Sequence, residues 1–150
     1  GEDTDLSFRM SEAGYKMKFN PKATVYHFHP ISFAKYLKVK FFRAFWRTKI
    51  YRKHAGKMLK DSYTSQRIKI QTALFYIIIV AIVLSPIIPL TFTAEIASLL
   101  LLASTLPFAI WALSKDTTVA IISPIVIIAR TIMFGLGLVL GSINQLVGFK

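Results

Sequence analysis

Cysteine is absent from the sequence, and acidic residues are scarce. Without Cys, the chain has no disulfide bonds and no thiolate metal site. Only seven Asp and Glu residues accompany nineteen Lys and Arg residues, which gives a formal net charge of +12. The glycines at 135, 137 and 141 lie in an apolar segment, so no glycine-rich phosphate loop is present. The chain begins at Gly1 rather than Met, and we expect it to be a fragment of a longer protein.

The basic residues are concentrated in one segment. Residues 1–32 carry four basic and four acidic residues, residues 33–71 carry twelve and one, and residues 72–150 carry three and two. A block with such an excess of positive charge attracts nucleic acid or anionic lipid. Because an apolar region follows it directly, we expect membrane lipid as the partner, and no nucleic acid.

Two long uncharged runs predict a transmembrane hairpin. Residues 70–94 are 25 consecutive uncharged residues, more than the roughly 20 that cross a bilayer's hydrocarbon core. A second run, residues 96–114, is separated from the first only by Glu95. Pro86 is expected to kink or end the first helix. We therefore place the first two spans at about residues 72–93 and 96–114.

Arg130 makes the third hydrophobic stretch ambiguous. A charge at the middle of a bilayer is costly, so we place Arg130 near an interface. On that interpretation, residues 119–129 form an interfacial or re-entrant helix and residues 131–147 form the third span. The alternative is a single long tilted helix in which Arg130 has a partner. Gly137 and Gly141 have the GxxxG spacing that permits close helix packing.

Residues 32–71 predict basic amphipathic helices at the membrane surface. Apolar and aromatic residues recur at helical spacing from Phe33 to Tyr51, and Ser32 is the expected N-cap. An ordinary solvated face on a cytosolic helix would give the same pattern, but the neighbouring hairpin favours the interface. Since basic flanks are retained in the cytoplasm, residues 1–71 are expected on that side of the plasma membrane. The expected interface residues are Lys35, Lys38, Arg43, Arg47, Lys49, Arg52 and Lys53.

The first 31 residues predict a helix followed by two strands. The helix is expected to end at Gly14, and within it Asp5 and Arg9 have the i,i+4 spacing of an ion pair. In the second strand-like stretch His27 and His29 alternate with other residues, so their side chains share one face. His54, which follows a run of basic residues, is interpreted as part of the basic surface.

A series of motifs runs through this N-terminal part: Gly1-Glu2-Asp3-Thr4-Asp5-Leu6, then Arg9, Gly14-Tyr15, Pro21, Ala23, Val25 and His27. The series resembles the end of the catalytic domain in family 2 glycosyltransferases. The resemblance implies a mainly α membrane protein in which residues 1–31 are the C-terminal piece of an α/β GT-A catalytic domain. This piece would be followed by amphipathic interface helices in residues 32–71 and by two to three transmembrane helices in residues 72–150.

The resemblance also implies roles for individual residues. Asp3 would be the general base for an acceptor hydroxyl, and Glu2 would orient neighbouring groups. A carboxylate at the start of a helix is favoured in its charged form, which suits a base; the alternative is that Asp3 only caps the helix. His27 would complete a divalent metal site, for which Mg²⁺ or Mn²⁺ is the expected ion. His29 is the weaker candidate beside it.

Processive members of the family carry a QxxRW motif on the next helix. The nearest match is Lys40-Phe41-Phe42-Arg43-Ala44, with Lys for Gln and Ala for Trp, and Trp46 comes two residues late. This departure favours an enzyme that transfers a single sugar over a processive polymerase.

Two functional hypotheses follow. The first is a membrane-bound inverting glycosyltransferase that moves a sugar from a nucleotide-sugar donor to a hydroxyl of a lipid-linked saccharide or polysaccharide. Its donor-binding half, including an Asp-x-Asp pair, would precede residue 1, so the fragment alone is expected to be inactive. The second is a non-catalytic membrane scaffold that binds anionic lipid or a partner protein through its basic helices.

Overall fold

The computed structural model describes residues 2–29, 31–57 and 64–148 of the chain. Within these ranges the only regular elements are helical: α1 (Glu2–Glu12), α2 (Phe33–Lys53), a 3₁₀ turn (Ala55–Lys57), α3 (Gln66–Leu84), α4 (Thr91–Ala103), α5 (Leu106–Leu113) and α6 (Thr117–Val147). The prediction of a mainly α protein is confirmed, and the predicted α/β piece is not seen in the described residues.

α1 ends where the sequence predicts. Gly14 has a positive φ of 83°, and the Tyr15 N–H donates to the Met10 carbonyl at 3.0 Å, so a glycine terminates the helix. The two strands predicted after it are absent, and residues 15–29 are exposed without strand pairing. A strand needs a neighbour for its backbone N–H and C=O groups, and the described residues offer no such neighbour.

α2 begins at the predicted cap and packs on the last helix. The Ser32 hydroxyl accepts a hydrogen bond from the Lys35 N–H at 3.3 Å. Over its 21 residues α2 packs mainly on α6, where Ala44 is buried beside Gly137, and Ile50 is also buried. The basic helix is therefore joined to the apolar part of the chain by direct packing.

Glycines of α6 allow this close approach, as the GxxxG spacing predicts. A Cβ atom at Gly141 would lie 2.5 Å from the Phe45 carbonyl oxygen and 2.8 Å from Thr48 Oγ1. A Cβ at Gly137 would overlap the Phe41 carbonyl and lie 2.9 Å from the Ala44 Cβ. Any side chain at these two positions would push the helices apart.

Three segments are long and apolar enough to cross a membrane: Gln66–Leu84, Thr91–Leu113 and Thr117–Val147. They support the interpretation as a multi-pass membrane protein. The first ends before Pro86, which cannot supply a helical N–H. The second is interrupted between α4 and α5, where Pro107 occupies the first turn of α5. The predicted spans of about 72–93 and 96–114 each overlap one of the first two apolar segments, whose helical bounds lie a few residues earlier in the chain.

The third segment corrects the preferred interpretation of Arg130. α6 runs without interruption for 31 residues, so residues 119–129 and 131–147 are one helix, as in the alternative. Arg130 Nη2 donates to Gln71 Oε1 at 2.7 Å, and Gln71 Nε2 donates to Ser104 Oγ at 3.0 Å. At roughly 46 Å, such a helix exceeds a hydrocarbon core of about 30 Å. It must therefore tilt or extend beyond the core.

The α2–α6 packing can be tested with Gly141→Ala. Alanine normally favours a helix over glycine, but here its methyl group meets the backbone of α2, so we expect a loss of about 1–3 kcal/mol in the free energy of unfolding. Denaturant titration in detergent micelles measures it. Gly56→Ala is the matched control, because nothing lies within 4 Å of the Cβ it would add. Equal stability of the two variants would contradict the close packing.

Candidate functional site

A charged cluster holds α1 against the end of α2. His54 follows α2 directly, and its ring is buried. His54 Nε2 lies 3.0 Å from Asp5 Oδ1 and Nδ1 lies 2.7 Å from Glu12 Oε1. Lys53 Nζ approaches Asp5 Oδ1 at 2.9 Å. We call Asp5, Glu12, Lys53 and His54 the His54 clamp.

The face of α1 that forms this contact follows from helical spacing. Asp5, Phe8 and Glu12 are three and four residues apart, so they lie on one side of the helix. Phe8 is buried, and its ring meets the His54 ring edge-on at 5.5 Å between centroids. Arg9 Nε also pairs with Asp5 Oδ2 at 3.1 Å, which confirms the predicted ion pair.

The clamp shifts the pKa values of its members. Hydrogen bonds from Lys53 and then His54 lower the pKa of Asp5 to about 2. Hydrogen bonds to Asp5 and then Glu12 raise the pKa of His54 above its usual 6.5. Only the protonated ring has two N–H groups, so only imidazolium can donate to both carboxylates. The geometry therefore favours a charged His54.

A cleft of about 350 Å³ opens beside the clamp, between the first turn of α1 and the last turns of α2. Its lining combines two carboxylates, two ammonium groups and one half-exposed indole: Glu2, Asp5, Lys49, Lys53 and Trp46, together with Ile50. We call it the α1–α2 cleft. Carboxylates beside an aromatic face can hold a polar ligand by hydrogen bonds on one side and by apolar contact on the other.

The two predicted catalytic residues lie at the start of α1. Both are exposed, and Glu2 lines the α1–α2 cleft while Asp3 lies next to it in the same turn. Asp3 Oδ1 accepts a hydrogen bond from the Thr4 N–H at 2.8 Å. The structure thus brings Glu2 and Asp5 to the cleft, and Asp3 is not among the residues found to line it.

The predicted metal ligand His27 lies elsewhere, on the exposed segment after α1. Its ring centroid is 5.2 Å from that of His29, so the two imidazoles are neighbours although the predicted strand is not formed. No group of three or more His, Cys, Asp or Glu residues suited to a metal ion occurs in the described residues. Two imidazoles supply only part of the ligand set of a Mg²⁺ or Mn²⁺ ion, so the other ligands of the predicted site would have to come from outside the described residues.

The seven predicted interface residues fall into two groups. Lys35, Lys38 and Arg43 are exposed on α2. The others have local contacts: Lys49 and Lys53 line the α1–α2 cleft, Arg47 donates to Thr64 Oγ1, and Arg52 Nη1 donates to the Gln145 carbonyl at 3.0 Å. The last bond places a cation at the C-terminal end of α6, where the helix dipole favours positive charge.

The prediction that His54 belongs to the basic surface is wrong, because its ring is buried against Phe8 of α1, and the place of Trp46 at a cleft was not predicted. Asp5 and His54 are 49 positions apart, and no local spacing relates them. Trp46 was discounted because it does not align with the QxxRW motif, yet its indole lies in the cleft beside the acidic start of α1. In the sequence, the only indication of these two roles was that Trp46 and His54 stand near the C-terminal end of a basic helix.

The pKa of His54 tests the clamp directly. Histidine NMR titration of the protein in micelles should give a pKa above 6.5 for His54, and Asp5→Asn should lower it because one acceptor of its N–H groups loses its charge. Glu95→Gln, which alters an exposed residue of α4, is the control and should leave it unchanged. An unshifted His54 in the unmodified protein would exclude the clamp.

The same shifts predict how the docking of α1 depends on pH. The His54 contribution is fully present below pH 6.5 and is lost as pH rises through the raised pKa. The Asp5 contribution is fully present above pH 3.8 and is lost as pH falls toward about 2. Hydrogen exchange of the α1 amides, corrected for intrinsic rates, should therefore be slowest between these limits. Protection that is equal at pH 5 and well above the His54 pKa would contradict the assignment.

Comparison of the chain with known protein families, with curated proteins and with solved structures finds no match. The resemblance to family 2 glycosyltransferases therefore stays a prediction that rests on the motifs of the N-terminal part.

Proposed function

We propose that this chain belongs to a membrane-bound inverting glycosyltransferase, in which Asp3 is the general base. The supporting observation is the α1–α2 cleft, which places Glu2, the residue next to Asp3, beside the exposed indole of Trp46. A sugar acceptor has hydroxyl groups for the carboxylates and an apolar C–H face for the indole of Trp46. These two surfaces of the cleft suit that chemistry.

In the proposed reaction, the acceptor hydroxyl loses its proton to the Asp3 carboxylate while its oxygen attacks the anomeric carbon of the donor. The bond from that carbon to the nucleoside diphosphate breaks, and the configuration inverts. Asp3 lies in the first turn of α1, where the helix dipole favours a negative charge. Glu2, which lines the cleft, is assigned to orienting the acceptor. The proposed roles of Asp3 and Glu2 do not involve a metal ion held by this chain.

The anchoring of α1 favours an acceptor at the membrane surface. The His54 clamp fixes α1 to α2, and α2 packs on the apolar helix α6. A hydroxyl of a lipid-linked saccharide or polysaccharide would therefore reach the cleft from the bilayer. We assign the nucleotide-sugar donor and the cleft to the cytoplasmic side of the plasma membrane, because the basic residues cluster around α2.

The exposed face of α2 supports the second candidate, a scaffold that binds anionic lipid. Lys35, Lys38 and Phe42 are exposed on one side of α2, and Arg43 is exposed next to Phe42 along the chain. Aromatic and cationic side chains on one helix surface are typical of contact with an anionic leaflet. This property is compatible with the enzyme, so lipid binding by α2 alone does not distinguish the two candidates.

Asp3→Asn in the protein that contains this chain tests the proposal. Loss of the base is expected to lower the transfer rate by about 10²–10⁴-fold while nucleotide-sugar binding is retained. Transfer of radiolabelled sugar to a membrane fraction and equilibrium binding of the donor measure the two quantities. Glu95→Gln is the matched control, and its transfer rate should equal that of the unmodified protein.

Trp46→Ala and Trp46→Phe separate acceptor binding from the chemical step. Removing the ring should raise KM for the acceptor with a smaller effect on kcat, and phenylalanine should restore most of the binding.

Full activity of Asp3→Asn would contradict the role of the base. Absence of transfer from the unmodified protein with every donor tried would favour the scaffold.

A further inference from the structure

A second and larger cavity lies among the apolar helices, away from the α1–α2 cleft. It has a volume of about 560 Å³ and is bordered by the start of α3, the α4–α5 break and the first half of α6. Its polar wall includes Arg67, Gln71 and Arg130, and its apolar wall includes Phe108, Ile122 and Val126. We call it the interhelical cavity. Its size falls in the range of small-molecule sites, about 300–1,000 Å³.

The two arginines on the wall of this cavity have no carboxylate partner among the described residues. Arg130 donates through Nη2 to the neutral amide oxygen of Gln71, and its buried Nε has no hydrogen-bond partner. Neither Arg130 nor Arg67 forms an ion pair within the described residues, and none of the residues found to line the cavity is Asp or Glu. An unpaired guanidinium within an apolar helix is costly, so an external anion would be stabilising here.

The surroundings of Arg130 add further positive charge. Tyr36 of α2 reaches the cavity, and Lys40 lies one helical turn after it. Burial, and then the charges of Arg43 and Arg130, lower the pKa of Lys40. The cavity wall itself holds two positive charges, Arg67 of α3 and Arg130 of α6. A bound anion would interact favourably with both.

The chemistry of the walls indicates which anion fits. A phosphate group has several acceptor oxygens and matches the planar N–H groups of arginine, including the unpartnered Nε of Arg130. The apolar wall suits a hydrocarbon chain, and Ile122 and Phe108 are 48% and 40% exposed at the surface of the helices. A lipid would therefore be able to enter from the bilayer side with its chain along α5 and α6.

We propose that the interhelical cavity binds the phosphate headgroup of a membrane lipid, with Arg130 and Arg67 on the phosphate and the apolar wall on the chain. The site is separate from the α1–α2 cleft, and the proposal does not depend on glycosyl transfer. A lipid held there would join α3, α5 and α6 and neutralise the charge of Arg130.

Phosphatidic acid, which carries a phosphate monoester, is a suitable probe. The full chain is reconstituted in nanodiscs of phosphatidylcholine with or without a minor fraction of phosphatidic acid. Native mass spectrometry counts the bound lipid, and thermal unfolding measures stabilisation. We expect one tightly bound phosphatidic acid and a higher Tm in its presence. Arg130→Gln should weaken binding by at least tenfold, and Arg67→Gln should weaken it less.

Lys22→Gln is the matched control for charge, because it removes one exposed cation that belongs neither to the cavity nor to α2. Its binding of phosphatidic acid should equal that of the unmodified chain. If Lys22→Gln and Arg130→Gln weaken binding equally, the lipid is held by general surface charge and the proposal is wrong. If phosphatidylcholine alone binds as tightly, the apolar wall rather than the arginines selects the ligand, which also overturns it.

Two further experiments test where the lipid binds and whether the anion comes from a lipid or from free phosphate. Ile122→Trp leaves both arginines in place and puts a bulkier side chain on the apolar wall, so it should weaken binding even if Arg130→Gln does not fold. Retained binding in Ile122→Trp would place the lipid elsewhere. Inorganic phosphate in phosphatidylcholine nanodiscs distinguishes the source of the anion. If it competes fully with phosphatidic acid and stabilises the protein as much, the cavity is a free-phosphate site and not a lipid site.

Discussion

The close contact between α2 and α6 is the interaction on which the arrangement of the chain depends. Gly137 and Gly141 let the backbones of the two helices meet, and glycine at a helix interior costs about 1 kcal/mol relative to alanine. The van der Waals contact along α2 must offset that cost. Because buried contacts are not screened by salt, the basic helix is held in place even where its attraction to anionic lipid is weakened.

The second junction, between α1 and α2, has a different physical character. Asp5, Glu12 and His54 hold α1 by charge-assisted hydrogen bonds, whose strength depends on the protonation of the imidazole. Two successive contacts thus connect the acidic start of α1 to the membrane helices. The α2–α6 contact is apolar and does not change with pH, whereas the α1–α2 contact depends on the protonation of His54. A change of pH would release α1 from α2 before it affected the α2–α6 packing.

The sequence predicted those features that depend on residues close together in the chain. The Ser32 cap, the termination at Gly14, the Asp5–Arg9 pair and the uncharged runs all follow from spacings of a few residues. The His54 clamp was not predictable, because it joins positions 49 apart that only tertiary packing brings together. The prediction of a strand from the alternating residues before His29 was wrong for a related reason, since alternation indicates a strand only where a neighbour completes the sheet.

Arg130 shows how a correct energetic argument led to the wrong helix boundaries. The cost of a buried charge implied a break in α6, but Gln71 and Ser104 supply a chain of hydrogen bonds at that level instead. These bonds satisfy part of the guanidinium's donors and link α3, α4 and α6 in one polar layer, beside the α4–α5 break. An amide oxygen is a dipole, however, and it cannot cancel a full charge. Because α6 is continuous, Arg130 lies at the level of Gln71 and donates a hydrogen bond to it. This bond does not neutralise the positive charge of Arg130, which can still attract an anion.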